Sequence, residues 1–318
     1  MTITGWHRPL LVLAAAMALL AVVLLIAVLV DPREVLGTNL WLKPLKFSIS
    51  VGIYALTLSW LIGQLTRMRR IARIAGTVSV VGLVAEMVII VGVAAVGQTS
   101  HFNVSTPFHT TLWSIMAFSI VVVWMMTLVV AVALFRNPLG DAARTLAIRA
   151  GAIIAVIGMG LAFLMTGPTA QQLDDFQGIA GAHAVGVADG GPGLFLLGWS
   201  TVAGDLRIPH FVGMHALQAL PLLIIVLELL ARRVRVLANS DVRLRLVRVA
   251  VVTYSATLAV LTWQALAGQS IVRPSGAILV AGVAIGVASV IAAIVAWLTA
   301  RSPRSASTYP RGISLKVE

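Results

Sequence analysis

The chain has 318 residues, 59% of them hydrophobic and 11% charged, with a mean hydropathy of +1.01. That balance excludes a water-soluble globular domain with an ordinary polar surface and indicates a polytopic membrane protein. The absence of cysteine excludes disulfides, thiolate metal sites and Cys nucleophiles, so a metal would need His, carboxylate or carbonyl ligands.

Residues 10–30 form an apolar stretch of the ~20 residues needed to cross a ~30 Å hydrocarbon core, preceded by His7 and Arg8. It is too long for a signal-peptide core and lacks a small-x-small cleavage site, so it reads as the first span. Further apolar runs follow at 45–65, 74–96, 110–135, 146–166, 210–231, 249–268 and 277–300. An apolar segment in lipid must satisfy its own backbone, so the fold class expected is all-α, a bundle of eight transmembrane helices forming one domain over residues 1–300. Residues 301–318, rich in Ser, Arg and Pro, read as a flexible cytoplasmic tail.

The net charge of +12 matters through its placement. Putting the N-terminus inside gathers 18 of the 23 Lys and Arg residues on inner segments and leaves Arg33, Lys43, Lys46, Arg207 and Arg273 outside. The positive-inside rule then predicts a plasma-membrane protein with both termini cytoplasmic, and the Ala/Val/Arg-rich composition points to a bacterial source. The basic runs read as topogenic and lipid-contacting, with no nucleic-acid partner. Each helix expected to start at the outer face has a proline near its start, Pro44, Pro107, Pro209 and Pro274, where a missing N–H costs nothing.

Five of the six histidines, His101, His109, His183, His210 and His215, fall in outer loops or first turns, with Asp174, Asp175, Asp189 and Asp205. Thr106 is placed as an N-cap with Pro107 following, which puts His109 in a first helical turn. The connection 167–209 is glycine-rich and too long for an ordinary structureless loop, which suggests a lid or a re-entrant segment, with the apolar run 194–199 dipping into the interface. His210 and His215 are about 140° apart on a regular helix and would not ligate one ion from one face. The His-x-x-x-His spacing of helical zinc and iron sites is absent. A divalent metal would therefore draw on several elements, for instance His101, His109 and one of His210 or His215, whereas axial haem ligation needs only one histidine per helix. Polar packing, proton handling or substrate hydrogen bonding is the bland alternative for the same residues.

Lys43 and Lys46 oppose the dipole of the helix they start, so with Arg207 they suggest a site for an anion such as a lipid phosphate, a carboxylate or haem propionates. The simpler reading pairs the lysines with Asp31, Glu34 or Asp205. Glu86, mid-span, should face the bundle interior and meet Tyr54, Ser114, Tyr254 or Gln264, or else serve as a proton-relay or cation site. Glu228 lies close in sequence to Arg232 and Arg233. Gln218, three residues after His215, is spaced to orient it, and Trp41, Trp113 and Trp199 suggest an aromatic belt.

The stretches Trp41-Leu-Lys-Pro-Leu-Lys-Phe, Ser100-His-Phe-Asn, Asp189-Gly-Gly-Pro-Gly and Asp205-Leu-Arg-Ile-Pro-His-Phe-Val-Gly-Met-His resemble a group of bacterial multispan membrane proteins. The resemblance covers roughly residues 41–221 and implies no particular activity. Haem A synthase also has eight spans and outer histidines, but it places haem ligands in both four-helix halves, and the last two spans here contain none; this is analogy only.

The expectation is thus an outer-face polar pocket partly roofed by the connection 167–209. The leading reading is a metal- or haem-dependent redox enzyme acting on a lipid or quinone-like molecule. In it His101, His109, His210 and His215 are ligands or proton-transfer groups, His183 lies on the lid, Lys43, Lys46 and Arg207 hold an anionic group, and Glu86 and Gln218 act in catalysis. A cofactor-free proton-coupled transporter or lipid-handling protein is the second reading. The third is a non-catalytic subunit of a membrane complex, or a homo-oligomer.

Overall fold

A computed structural model describes residues 5–299, so the expected tail lies outside the described residues. The chain is mostly helical: α1 (Arg8–Val30), α2 (Leu42–Gly63), α3 (Arg69–Ala95), α4 (Pro107–Phe135), α5 (Ala142–Gly160), α6 (Ala170–Asp174), α7 (Arg207–Met214), α8 (Ala216–Leu230), α9 (Arg235–Ala238), α10 (Ser240–Leu266) and α11 (Gly276–Leu298). A 3-10 turn, Leu161–Met165, prolongs α5. Two short antiparallel pairs complete the described elements, β1 (Glu34–Val35) with β2 (Thr38–Asn39) and β3 (Ala184–Val185) with β4 (Gly204–Asp205). Among the described residues seven helices are long and apolar enough to cross a membrane, or eight if α7 and α8 form one bent span.

That bend is the main departure from the expected helices. The run 210–231 is not one regular helix: α7 and α8 meet at His215 with a 42° bend. The break falls between Gly213 and Pro221, the two residue types least suited to a helix interior. At the other helix starts, Thr106 caps α4 as expected, its hydroxyl accepting the His109 amide at 3.3 Å, and Pro107 takes the first helical position. Pro274 instead precedes the N-cap of α11, Ser275.

Contacts between loops define two ends. At one, Asn137 ties the α2–α3 connection to the end of α4, its Oδ1 accepting the Thr66 and Arg67 amides, each at 2.8 Å. Arg144 pairs with Glu228 and Arg243 with Asp141 at the same end. Glu228 therefore bridges to α5 rather than to its sequence neighbours Arg232 and Arg233. At the other end, the loop end, the connections after α1, α3, α5 and α10 meet.

In the body of the bundle α1 packs on α2, α3 on α4, and α5 on α7, α8 and α10, while α11 lies against α10. One apolar cluster fills the space among α1–α5 and another that among α5, α8 and α10. Outward faces are also apolar: Val12, Leu29, Val88, Phe118 and Val280 are all more than 60% exposed. Surfaces of this kind are covered by lipid or a partner, not by water.

The contact that positions the site is the crossing of α5 and α7. A Cβ added to Gly158 would stand 2.2 Å from the Gly213 carbonyl carbon, and one added to Gly213 would stand 2.5 Å from Gly158 Cα. The two backbones touch because neither residue has a side chain. Gly158 lies near the end of α5, just before the 3-10 turn, and His210 Nδ1 reaches its oxygen at 2.8 Å. Gly158→Ala should cost roughly 1–3 kcal/mol through this overlap. Gly92→Ala, where nothing lies within 4 Å, should be neutral; thermal unfolding in mild detergent compares the two.

Candidate functional site

The loop end is built on hydrogen bonds, not on a structureless lid. Within the 167–209 connection, Thr169 and Gln172 form a capping box on α6. The Gln172 side chain also grips both backbone groups of Gly181, at 2.9 and 3.0 Å. Asn103 and Val104 pair with Gly178 and Ile179, and the Leu206 amide donates to His183 O at 2.9 Å. Left-handed backbone at Gly178, Gly181, Gly186, Gly190 and Gly198 supplies the sharp turns this path requires. The apolar run 194–199 forms a tight turn closed by the Gly193–Ser200 bridge, with Phe195 at its tip 90% exposed.

Two cations hold that turn. Lys46 Nζ donates to Leu197 O at 2.8 Å and Arg207 Nη2 to Gly198 O at 2.6 Å. Arg207 is also bidentate on Asp205, a carboxylate with no exposed side-chain surface that accepts the Ser200 amide at 2.8 Å as well. The expected anion site therefore changes character: Lys46 and Arg207 are committed to the loop. Neither lysine pairs with Asp31, Glu34 or Asp205; Asp31 instead serves Arg33 and Trp41. Lys43 differs from both. Among the described residues its ammonium has no hydrogen bond or close ion pair, and its electrostatic neighbours are Arg207, Glu86, Asp189 and Lys46.

Beneath the loops lies a cluster of buried polar side chains. Glu86 is 4% exposed; its Oε1 stands 3.8 Å from His101 Nε2, and among the described residues its Oε2 has no hydrogen-bond partner. The partners expected for it are engaged elsewhere, Tyr54 with Thr127, Tyr254 with Val212 O, Ser114 with Thr110 O and Gln264 with Ser270 O. His101 is boxed by Phe47, Phe102 and Trp113 with ring centroids 5.4, 6.0 and 5.6 Å away. Trp113 packs against His101 and Phe102, and Trp199 packs on Phe211.

Three further histidines share one arrangement. Nδ1 of His183 lies 2.6 Å from Asp189 Oδ2, that of His210 2.8 Å from Gly158 O, and that of His215 3.2 Å from Gln218 Oε1. These oxygens only accept, so each Nδ1 carries the hydrogen and the neutral ring keeps its lone pair on Nε2. Asp189 also accepts the amides of His183 and Ala184. Phe211 touches the rings of both His210 and His215.

Burial holds the His101 imidazole well below its usual pKa, reinforced by the Lys43 ammonium. Burial lowers His183 too, against the pull of Asp189. Asp189 would rise on burial alone, but its bond from His183 and the two amides bring it down to about 2.

The structure thus gathers Glu86, His101, His183, His210 and Lys43 at one place, with His215 and Gln218 beside His210. His109 stands apart, its ring between Thr106 and Gln98 at 2.8 and 2.6 Å. Among the described residues no group of three His, Cys, Asp or Glu is placed to hold a metal ion, so a divalent site from His101, His109 and His210 does not form. The contacts of His101 with Phe47 and Trp113 carried no signal in spacing, because those rings come from other elements. Searches against protein-family profiles, curated proteins and solved structures return no match.

Two outcomes follow from this geometry. His101 and His183 have folded pKa values below 6.5, so the unfolded chain takes up protons first as pH falls. Stability should decline below about pH 6.5, by up to about 1.4 kcal/mol per pH unit for each histidine, and His101→Phe should flatten that slope in thermal melts across pH 7 to 5. Asp205→Asn should cost roughly 2–3 kcal/mol, less than breaking a wholly buried pair because Arg207 keeps some solvent. Hydrogen exchange of amides 193–206 would rise in that variant while the helices stay protected.

Proposed function

We propose that the chain is a multi-pass membrane protein of the plasma membrane, with cytoplasmic termini and its loop end facing outward, that handles protons through the cluster around Glu86 and His101. It takes up a small hydrogen-bonding molecule from the outer leaflet, quinone-like or a lipid headgroup, and exchanges a proton with it. The observation that carries this reading is the buried Glu86 carboxyl, with one oxygen unpartnered among the described residues and the other beside His101. An ionised carboxylate in mid-bilayer costs roughly 3 kcal/mol, so the free oxygen calls for a proton or a ligand. Lys43 supplies a neighbouring positive charge that no direct bond consumes. Phe47, Phe102 and Trp113 enclose the His101 ring and hold it beside Glu86.

Glu86→Gln keeps the shape and removes the titratable proton. In proteoliposomes under an imposed pH gradient, the wild type should move protons at least about tenfold faster than this variant, with equal melting temperatures. The infrared carbonyl band of a buried carboxylic acid should vanish in it. Equal proton flux in the two proteins overturns the reading.

A haem-dependent redox role is the second reading, favoured by the Nε2 lone pairs left on His183, His210 and His215. It predicts a Soret band in the purified protein that His210→Ala abolishes. A colourless protein with intact proton flux leaves the cofactor-free reading alone.

A further inference from the structure

The opposite end of the bundle carries a second, unrelated site. An open groove of about 520 Å³ runs along the start of α3, lined by Arg69, Arg70, Arg73, Ile74, Thr77 and Val78. Two arginines at this end are paired with carboxylates, Arg144 with Glu228 and Arg243 with Asp141, at 2.7 and 2.8 Å. Among the described residues no carboxylate lies within 4 Å of Arg67, Arg69, Arg70 or Arg73. Arg69 and Arg73 donate to one carbonyl, Gly5 O, at 3.1 and 3.4 Å, and Arg69 Nε is buried without a partner. The first turn of α3 has no acidic residue, so its positive helix end adds to the arginines instead of being offset. Among the described residues, positive charge accumulates here without a carboxylate to offset it.

The groove is also amphipathic. Arg70 and Arg73 are exposed, and Ile74, next along the helix, is 56% exposed. Guanidinium forks suit a phosphate, and an adjoining apolar wall suits an acyl chain. A free phosphate would have no use for that wall. We infer that this groove binds one anionic phospholipid, its phosphate held by Arg70 and Arg73 and its chain lying along Ile74 and Val78. The inference rests on the membrane reading above and on nothing in the histidine cluster.

The test uses the full chain purified in mild detergent, titrated with phosphatidylglycerol, phosphatidylcholine or inorganic phosphate and read by native mass spectrometry. Phosphatidylglycerol should bind as one tight equivalent that phosphatidylcholine does not match. Arg70→Gln/Arg73→Gln should weaken it roughly 30-fold, at about fivefold per surface arginine. Arg232→Gln/Arg233→Gln, removing equal charge at the same end but outside the groove, should leave that equivalent in place. Equal losses in the two double variants would reduce the effect to bulk attraction and overturn the site. Displacement of the lipid by millimolar inorganic phosphate would overturn the acyl-chain contact. If the membrane reading itself fails, the chain stays in the soluble fraction after lysis without detergent, which is a separate observation.

Discussion

Asp205 stands where the long loop becomes a helix, and most of the loop end hangs from its carboxylate. It accepts the Ser200 amide and both arms of the Arg207 guanidinium, and its backbone pairs with Ala184 in the β3–β4 ladder. Arg207 passes the restraint to Gly198 O, beside the carbonyl that Lys46 of α2 holds. One buried charge pair therefore joins the first half of the bundle, the tight turn at 193–200 and the start of α7. A buried ion pair is weak evidence for stability as such, since desolvation offsets much of its attraction. Its value here is directional: it dictates where α7 begins and hence where His210 lies.

The second constraint is the contact of Gly158 with Gly213. Where hydrocarbon surrounds the helices there is no hydrophobic drive to pack them, and close backbone approach through small residues takes its place. The same approach brings an end-of-helix carbonyl within reach of His210 and selects its tautomer. Packing and chemistry are thus set by one contact. The bend at His215 has a similar double effect, because α8 continues in a new direction and carries Gln218 against the His215 ring.

Polar groups are sorted by how completely they are satisfied. At one end Arg144 and Arg243 meet carboxylates, and Arg69, Arg73, Arg149 and Arg245 meet carbonyls. At the loop end, His183, His210 and His215 each have one nitrogen committed, whereas the Glu86 Oε2 atom and the Lys43 ammonium have no hydrogen bond among the described residues. Unsatisfied polar groups in a dry interior are costly, and they concentrate where a protein binds or reacts. The two ends thus differ in character: buried histidines and a carboxyl at the loop end, and a run of arginines at the start of α3.

Much of this was legible in the residues. Length and apolarity of each run are local properties, and they specified the helices, the Thr106 cap and the side of the chain on which histidines collect. The three-residue spacing of His215 and Gln218 specified their contact for the same reason. Spacing could not specify the partner of Glu86, the commitment of Lys46 and Arg207 to loop carbonyls, the separation of His109 from the other histidines, or the bond between Glu228 and Arg144. Each of these depends on which helix lies beside which, and that is decided by glycine contacts and a buried ion pair between residues far apart in the chain. Periodicity reports which face of an element is apolar, and only the tertiary structure decides what that face meets.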